Sequence, residues 1–369
     1  MKKCFALLLC ACLALSLCAC GHSSGLKTLT LVSAYDRSLA GTTLNVYNWG
    51  EYISEGDEGG LYVEKAFEEL TGIKVNYSTY ETNEFLYSKL TAGGANYDLI
   101  FPSDYMIQRL IDEDRLEPID FAGIPNYSYI MDEYRALYYD PRGAYSVPFA
   151  IGMVGLIYNK ALVADLKKQV PASWAAMWDP DYKDQILQFE SPRDAFGTAQ
   201  YLLGQDVNSL DKADWRAAAD KLKEQVPLLQ DYVSDEIYNV MGGANAILAP
   251  YYVGDFLSMQ SDNPDLEFVY PDEGTNYYYD SACIPKGARN KAAAELFINF
   301  LLEPDVALAN AEYNMCATPH KAVRANPAYT LRGNAYLYPE TLPAVQYFEH
   351  LPNEIIRYMN MLWTEVKQK

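Results

Sequence analysis

Histidine is nearly absent from this chain: His22, His320 and His350 are the only three in 369 residues. No CxxC or HExxH motif accompanies them, so a zinc site is not expected and no triad base suggests itself. A GxSxG elbow, a phosphate-binding P-loop and a GxGxxG following a strand are missing as well, which leaves hydrolase, kinase and dinucleotide chemistry without a motif. Cysteine is scarce in the body of the chain. Of seven, Cys4, Cys10, Cys12, Cys18 and Cys20 fall in the first twenty positions, leaving Cys283 and Cys316. Cys283 sits in an apolar run and reads as a small core residue, and spacing alone does not decide whether it pairs with Cys316. Positive charge is also in deficit, 29 Lys and Arg against 49 Asp and Glu for a net charge of −20. Such a surface does not bind nucleic acid by counterion release, and it attracts cations over long range.

What is present begins with a leader. Lys2 and Lys3 precede an apolar stretch from Phe5 to Leu17 that is too short to span a bilayer, and the small residue Ala19 precedes Cys20. This ending resembles the bacterial lipoprotein signal, which implies that residues 1–19 are removed and that Cys20 carries the lipid anchor. Residues 20–41 show no sustained period and read as a tether, with ordered structure expected from Thr42. The remaining length exceeds what one core usually serves, so two lobes are expected.

From Thr42 onward strand-like and helix-like segments alternate. Residues 43–48, 74–77 and 99–101 read as strands, and 61–70 and 84–92 as helices, with Gly72 placed to stop the first. Further on, an apolar run at 151–158, strands at 185–189, 246–249, 268–270 and 281–284, and helices at 192–203, 211–225, 254–260, 291–302, 305–311 and 352–366 complete the pattern. This β/α alternation predicts α/β lobes, each a mixed, mostly parallel sheet flanked by helices, with ligand received where loops leave the strands.

Aromatic residues and carboxylates recur at five expected strand ends: Trp49-Gly50-Glu51-Tyr52, Ser103-Asp104-Tyr105, Glu190-Ser191-Pro192-Arg193-Asp194, Tyr252-Val253-Gly254-Asp255 and Tyr278-Tyr279-Asp280. The third of these contributes its acid alone. An aromatic face attracts a cation, and a partly desolvated carboxylate accepts charge-assisted hydrogen bonds from an ammonium group. A flexible aliphatic amine uses both, rings along its methylenes and acids at its nitrogens. Each residue also has a local reading: Asp194 has capping-box spacing from Ser191, Asp255 suits a helix start, and with 32 tyrosines in the chain some tyrosine runs follow from composition alone. A receptor for another small solute (amino acid, sugar or metal complex) and a surface hydrolase are the competing readings; a neutral solute has no use for Asp194, Asp255 and Asp280 together.

Four segments carry a family resemblance: 44–52 (LNVYNWGEY), 71–81 (TGIKVNYSTYE), 97–103 (YDLIFPS) and 299–307 (NFLLEPDVA). They closely resemble the spermidine/putrescine-binding proteins of bacterial ABC importers, and the similarity runs from Thr42 to the C-terminus. The resemblance implies a two-lobed periplasmic-binding-protein fold of type II, with lobe one at 42–148 and 278–318, lobe two at 149–277 and 319–369, and crossings near 148–152, 276–278 and 318–323. It implies no enzymatic activity, no cofactor and no metal. Its implied partners are a cationic ligand, putrescine or spermidine, and a membrane permease, the receptor itself being a lipid-anchored monomer on the outer face of the cell membrane. Carried over residue by residue, Trp49, Tyr52, Ser103, Tyr105, Asp194, Tyr252, Asp255, Tyr278 and Asp280 would line the ligand site, with Gly50, Glu51, Ser191 and Glu349 as weaker members. Ser191 stands where relatives can carry a further Asp, and Cys316 where some carry Tyr, which implies a shorter amine or weaker hold on spermidine.

Overall fold

The computed structural model describes residues 24–56, 60–93 and 96–368. The expected leader, 1–19, and the expected anchor, Cys20, lie outside them. The strands in chain order are β1 (Thr43–Trp49), β2 (Lys74–Tyr80), β3 (Leu99–Ile100), β4 (Leu116–Glu117), β5 (Ser146–Asn159), β6 (Ile186–Phe189), β7 (Leu229–Val233), β8 (Leu248–Tyr252), β9 (Leu266–Val269), β10 (Thr275–Pro285) and β11 (Val345–Gln346). They join in the order β2-β1-β3-β10-β5-β8-β6-β7, with β4 and β11 on β10 and β9 on β5.

Two long strands tie the halves together. β5 is buried at every position but Phe149, which is why its sequence reads as one apolar run rather than an alternation. Its first part lies antiparallel to β10, from Cys283↔Ser146 to Tyr277↔Met153. At Val154 it changes partners and continues beside β8 and β9. On one side β1, β2 and β3 run parallel, and on the other β6 runs parallel to β7 and β8. The result is the expected α/β architecture of two mixed sheet halves flanked by helices. One core gathers Leu44, Val46, Phe67, Phe297 and Phe300; a larger one gathers Trp174, Phe196, Trp215 and Phe256 in the second half. Each such side chain, fully buried, contributes roughly 1.5–3 kcal/mol.

Local signals explain the punctuation. The helix Val63–Thr71 stops at Gly72, which takes the left-handed conformation (φ 75°) and donates its N–H to the carbonyl of Glu68. The helix Asn83–Thr91 starts where the Thr82 hydroxyl accepts from the N–H of Phe85.

Residues 24–41 correct the expectation of a tether. The segment lies along the first half, where Leu26, Leu29, Leu31, Tyr35 and Leu39 pack against its core. Tyr62 donates its N–H to the Ser24 carbonyl (3.0 Å). The carboxylate of Glu303, fully buried, accepts from Val32 N (2.6 Å), Ser33 N (3.0 Å), the Tyr35 hydroxyl (2.8 Å) and Asn126 Nδ2 (2.9 Å). Asp305 accepts from Thr30 N (2.8 Å). The segment carries no period because its backbone donors are satisfied by side chains some 270 residues away instead of by a ladder.

Candidate functional site

A cleft between the two sheet halves, with about 110 Å³ of free space, gathers residues from both. Its first-half wall begins where β1 ends, at Trp49, Gly50, Glu51 and Tyr52. The Trp49 ring lies 4.4 Å from that of Tyr80, and Tyr52 packs on Phe149 at 5.6 Å. Ser103 precedes the helix Asp104–Asp112 and is held by a reciprocal pair: Asn83 Nδ2 donates to its Oγ (3.0 Å) and its own N–H donates to Asn83 Oδ1 (3.1 Å).

The second-half wall is built at Asp194, in the first turn of the helix Pro192–Leu202, and at Tyr252 and Asp255, where β8 passes into the helix Val253–Asp262. Ser191 makes no side-chain capping bond to that first helix, so the capping-box reading is not realised and Asp194 accepts from the Tyr252 hydroxyl (3.1 Å). Asp255 accepts from the Tyr238 hydroxyl (2.5 Å). Tyr252 and Tyr278 meet edge to face at 5.4 Å.

Tyr278 and Asp280 differ from expectation in their backbone. They lie inside β10 and not before it, because β10 begins at Thr275 to span both halves. A register shift between Asp280 and Ser281 re-aims the carboxylate, as bulges do near functional sites. Opposite Tyr278 stands Gly152, where an added Cβ would come within 2.2 Å of the Tyr278 hydroxyl; only glycine lets that ring lie against β5. Asp280 is 4% exposed. One of its oxygens accepts from the Tyr52 hydroxyl, and the other, Oδ1, is buried without a hydrogen-bond partner.

Every residue expected in the site except Glu349 lines this cleft. Glu349 is the correction. Its N–H donates to Asn208 Oδ1 (2.9 Å), which turns the residue into a second cavity of about 310 Å³ behind Tyr105 and Arg193. Cys316 also lines the cleft, and both it and Cys283 are buried free thiols. Sequence reasoning missed Tyr80, Glu81, Asn83, Asp235, Tyr238 and Asn276. Tyr80-Glu81 repeats the ring-and-acid pair at the end of β2, a signal that was there to be read. Asp235 follows β7, whose sequence LQDYV alternates too weakly to announce a strand.

The electrostatics are one-sided. Among the described residues seven carboxylates line the cleft, Glu51, Glu81, Asp104, Asp194, Asp235, Asp255 and Asp280, and no Lys, Arg or His does. Burial pushes the carboxyls of Asp255 and Asp280 up to about 6, with Asp255 and Asp194 adding repulsion at Asp280, against the lowering effect of the neighbouring Ser103 and Tyr52 hydroxyls. Burial likewise pushes Asp104 up to about 8 and raises Asp194. Desolvated acids facing one another favour protons or an arriving cation. Among the described residues no group of His, Cys, Asp and Glu is arranged to hold a metal ion.

Residues 63–334 match the family described as bacterial extracellular solute-binding protein. Over 300 residues the chain is 35% identical to the spermidine/putrescine-binding periplasmic protein of Salmonella typhimurium, covering 81% of this chain and 83% of that one. A solved chain from Listeria monocytogenes, described as a spermidine/putrescine ABC transporter, superposes with a TM-score of 0.83 at 36% identity, covering 89% of this chain and 99% of the other. The spermidine/putrescine ABC transporter substrate-binding protein of Streptococcus pneumoniae gives a TM-score of 0.72 at 31% identity, covering 88% and 98%. The chain therefore belongs to the bacterial extracellular solute-binding proteins: it is a solute-binding receptor of the ABC-transporter type and not an enzyme.

Proposed function

We propose that this receptor captures a protonated polyamine, putrescine or spermidine, in the cleft between its halves and delivers it to an ABC permease. The observation that carries the reading is the cleft lining itself, which among the described residues has rings and seven carboxylates with no basic side chain. An ammonium group meets Asp280 at its unpartnered Oδ1, and Asp194 and Asp255, which line the same cleft, take further nitrogens. Trp49, Tyr52, Tyr252 and Tyr278 supply faces for methylenes and cations, while Ser103, Tyr105, Gly50, Glu51 and Ser191 complete the walls. The names of the relatives support the same ligand class.

The division into lobes at 42–148 with 278–318, and 149–277 with 319–369, belongs to this proposal, with β5 and β10 as crossings. Ligand that touches both walls binds the closed form better than the open one, and that difference drives closure. Processing at Cys20 and its acylation would hold the receptor as a monomer on the outer face of the membrane. Titration calorimetry of the chain beginning after Cys20 tests the ligand class: saturable heat is expected with putrescine or spermidine and none with neutral sugars or zwitterionic amino acids. Binding of the latter two alone would overturn it. Loss of the protein from the membrane fraction in Cys20→Ala tests the anchor, and an unchanged membrane fraction would contradict it.

A further inference from the structure

The second cavity, of about 310 Å³, is large enough for a small molecule and is also shared between the halves. The helices Asn83–Thr91 and Asp104–Asp112 bring Glu84, Tyr105 and Arg109 to it from the first half. The helix Pro192–Leu202 brings Arg193, and the helix Asn353–Lys367, packed on it in the second half, brings Arg357, with His350 from the segment between β11 and that last helix. Tyr105 lines both this cavity and the cleft, and its hydroxyl donates to Glu84 Oε1 (3.0 Å). Across the halves, His350 donates its N–H to Gln108 Oε1 (2.7 Å) and its Nδ1 lies 2.9 Å from Asp112 Oδ2.

Three polar side chains of this lining are buried with bonding capacity unused. Arg193, 2% exposed, spends its two terminal nitrogens on the Val207 carbonyl and Asn208 Oδ1 (both 2.7 Å), and its Nε has no hydrogen-bond partner. Glu84 Oε2 and His350 Nε2 have none either. Buried polar atoms are rarely left unpaired, and three around one cavity call for an occupant. Charge selects its kind. Arg109, Arg193 and Arg357 outnumber Glu84 and Glu349, a basic balance within a chain of net charge −20 and opposite in sign to the cleft. Burial raises the Glu84 carboxyl, which favours its neutral form, and the O–H of that form donates to an anion.

We infer that the second cavity is a ligand site of its own, taking a small carboxylate of two to four carbons among Arg193, Arg109 and Arg357, and that its occupation and capture in the cleft strengthen each other. The coupling follows from the shared walls. An anion held by arginines of both halves favours the arrangement that brings them together, and a ligand bridging the cleft selects that same arrangement. The carboxylate site stands on its own observations; its coupling to an amine rests on the polyamine reading.

The test is calorimetric titration of the chain beginning after Cys20 with acetate and with succinate, at an ionic strength held constant with sodium chloride. Saturable heat is expected with at least one of them, weakened about tenfold in Arg357→Gln, a substitution on the exposed face of its helix that leaves the core untouched. With the carboxylate present, putrescine or spermidine is expected to bind about fivefold more tightly. No saturable heat with either carboxylate, or the same affinity in Arg357→Gln, overturns the site. Equal or weaker amine affinity in the presence of a bound carboxylate overturns the coupling. Carboxylate binding without binding of either amine overturns the polyamine reading and the coupling with it, and leaves the second site standing.

Discussion

Asp280 shows how one residue trades stability for binding. Its carboxyl is buried, held up to about 6 by desolvation, and carries an oxygen with no partner. In Asp280→Asn the buried charge is gone, so the ligand-free protein is expected to melt at the same or a higher temperature, read by calorimetric scanning. Polyamine affinity is expected to fall by about 2–5 kcal/mol, the loss that follows removal of one partner of a desolvated charge pair. Unchanged affinity would remove Asp280 from the site. At this scale the sequence was informative because the acids and rings sit next to strand ends, where chemistry is displayed. Glu349 came only from the resemblance, by its place near a polar family position, and the hydrogen bond from its N–H to Asn208 holds it at the second cavity. Asp104 stood in a segment already singled out, yet nothing local revealed that its carboxylate would accept from the N–H of its neighbour Tyr105 (2.7 Å) and from that of Tyr279 (3.2 Å), 175 residues further on.

Among the elements, the segment 24–41 was the least legible and carries the clearest expectation. It has no amphipathic period to detect, and its partners Glu303 and Asp305 lie at the far end of the chain. Truncation at Thr42 would leave the Glu303 carboxylate with Asn126 alone of its four donors. A protein beginning at Thr42 is expected to be less stable by about 3–5 kcal/mol than one beginning before Ser24, the cost of stranding a buried charge. Chemical denaturation of the two forms measures it, and equal midpoints would show that the segment contributes nothing. The crossing strands were half legible. The apolar run of β5 announced itself, whereas Tyr277, Tyr278 and Tyr279 read as a loop because three adjacent rings conceal the alternation of a strand. Only their pairing with Met153, Gly152 and Ile151 reveals one.

For the whole molecule, the raised carboxyls make both stability and binding depend on pH. A carboxyl whose folded pKa lies above its unfolded value stabilises the fold fully below the unfolded value and loses that contribution as pH rises through the folded one. Asp255, Asp280 and Asp104 therefore destabilise the ligand-free protein as pH climbs from about 4 through 6 and on to 8. His320, buried and held down to about 4, acts oppositely, costing stability as pH falls below its ordinary range. Ligand reverses the demand on the acids, since a cation needs them ionised. Polyamine affinity is expected to rise between pH 5 and pH 7, with protons released from Asp255 and Asp280 on binding. Calorimetry in buffers of different ionisation enthalpy counts them, and proton uptake would contradict the assignment.

The central claim is that this cleft recognises positive charge on a flexible chain, and the most direct measurement compares putrescine with the uncharged diol of the same length at pH 7. Saturable heat with the diamine and none with the diol is the result expected from a lining that, among the described residues, holds seven carboxylates and no basic side chain. Comparable binding of the two would mean that the acids do not read charge, and the account would fall.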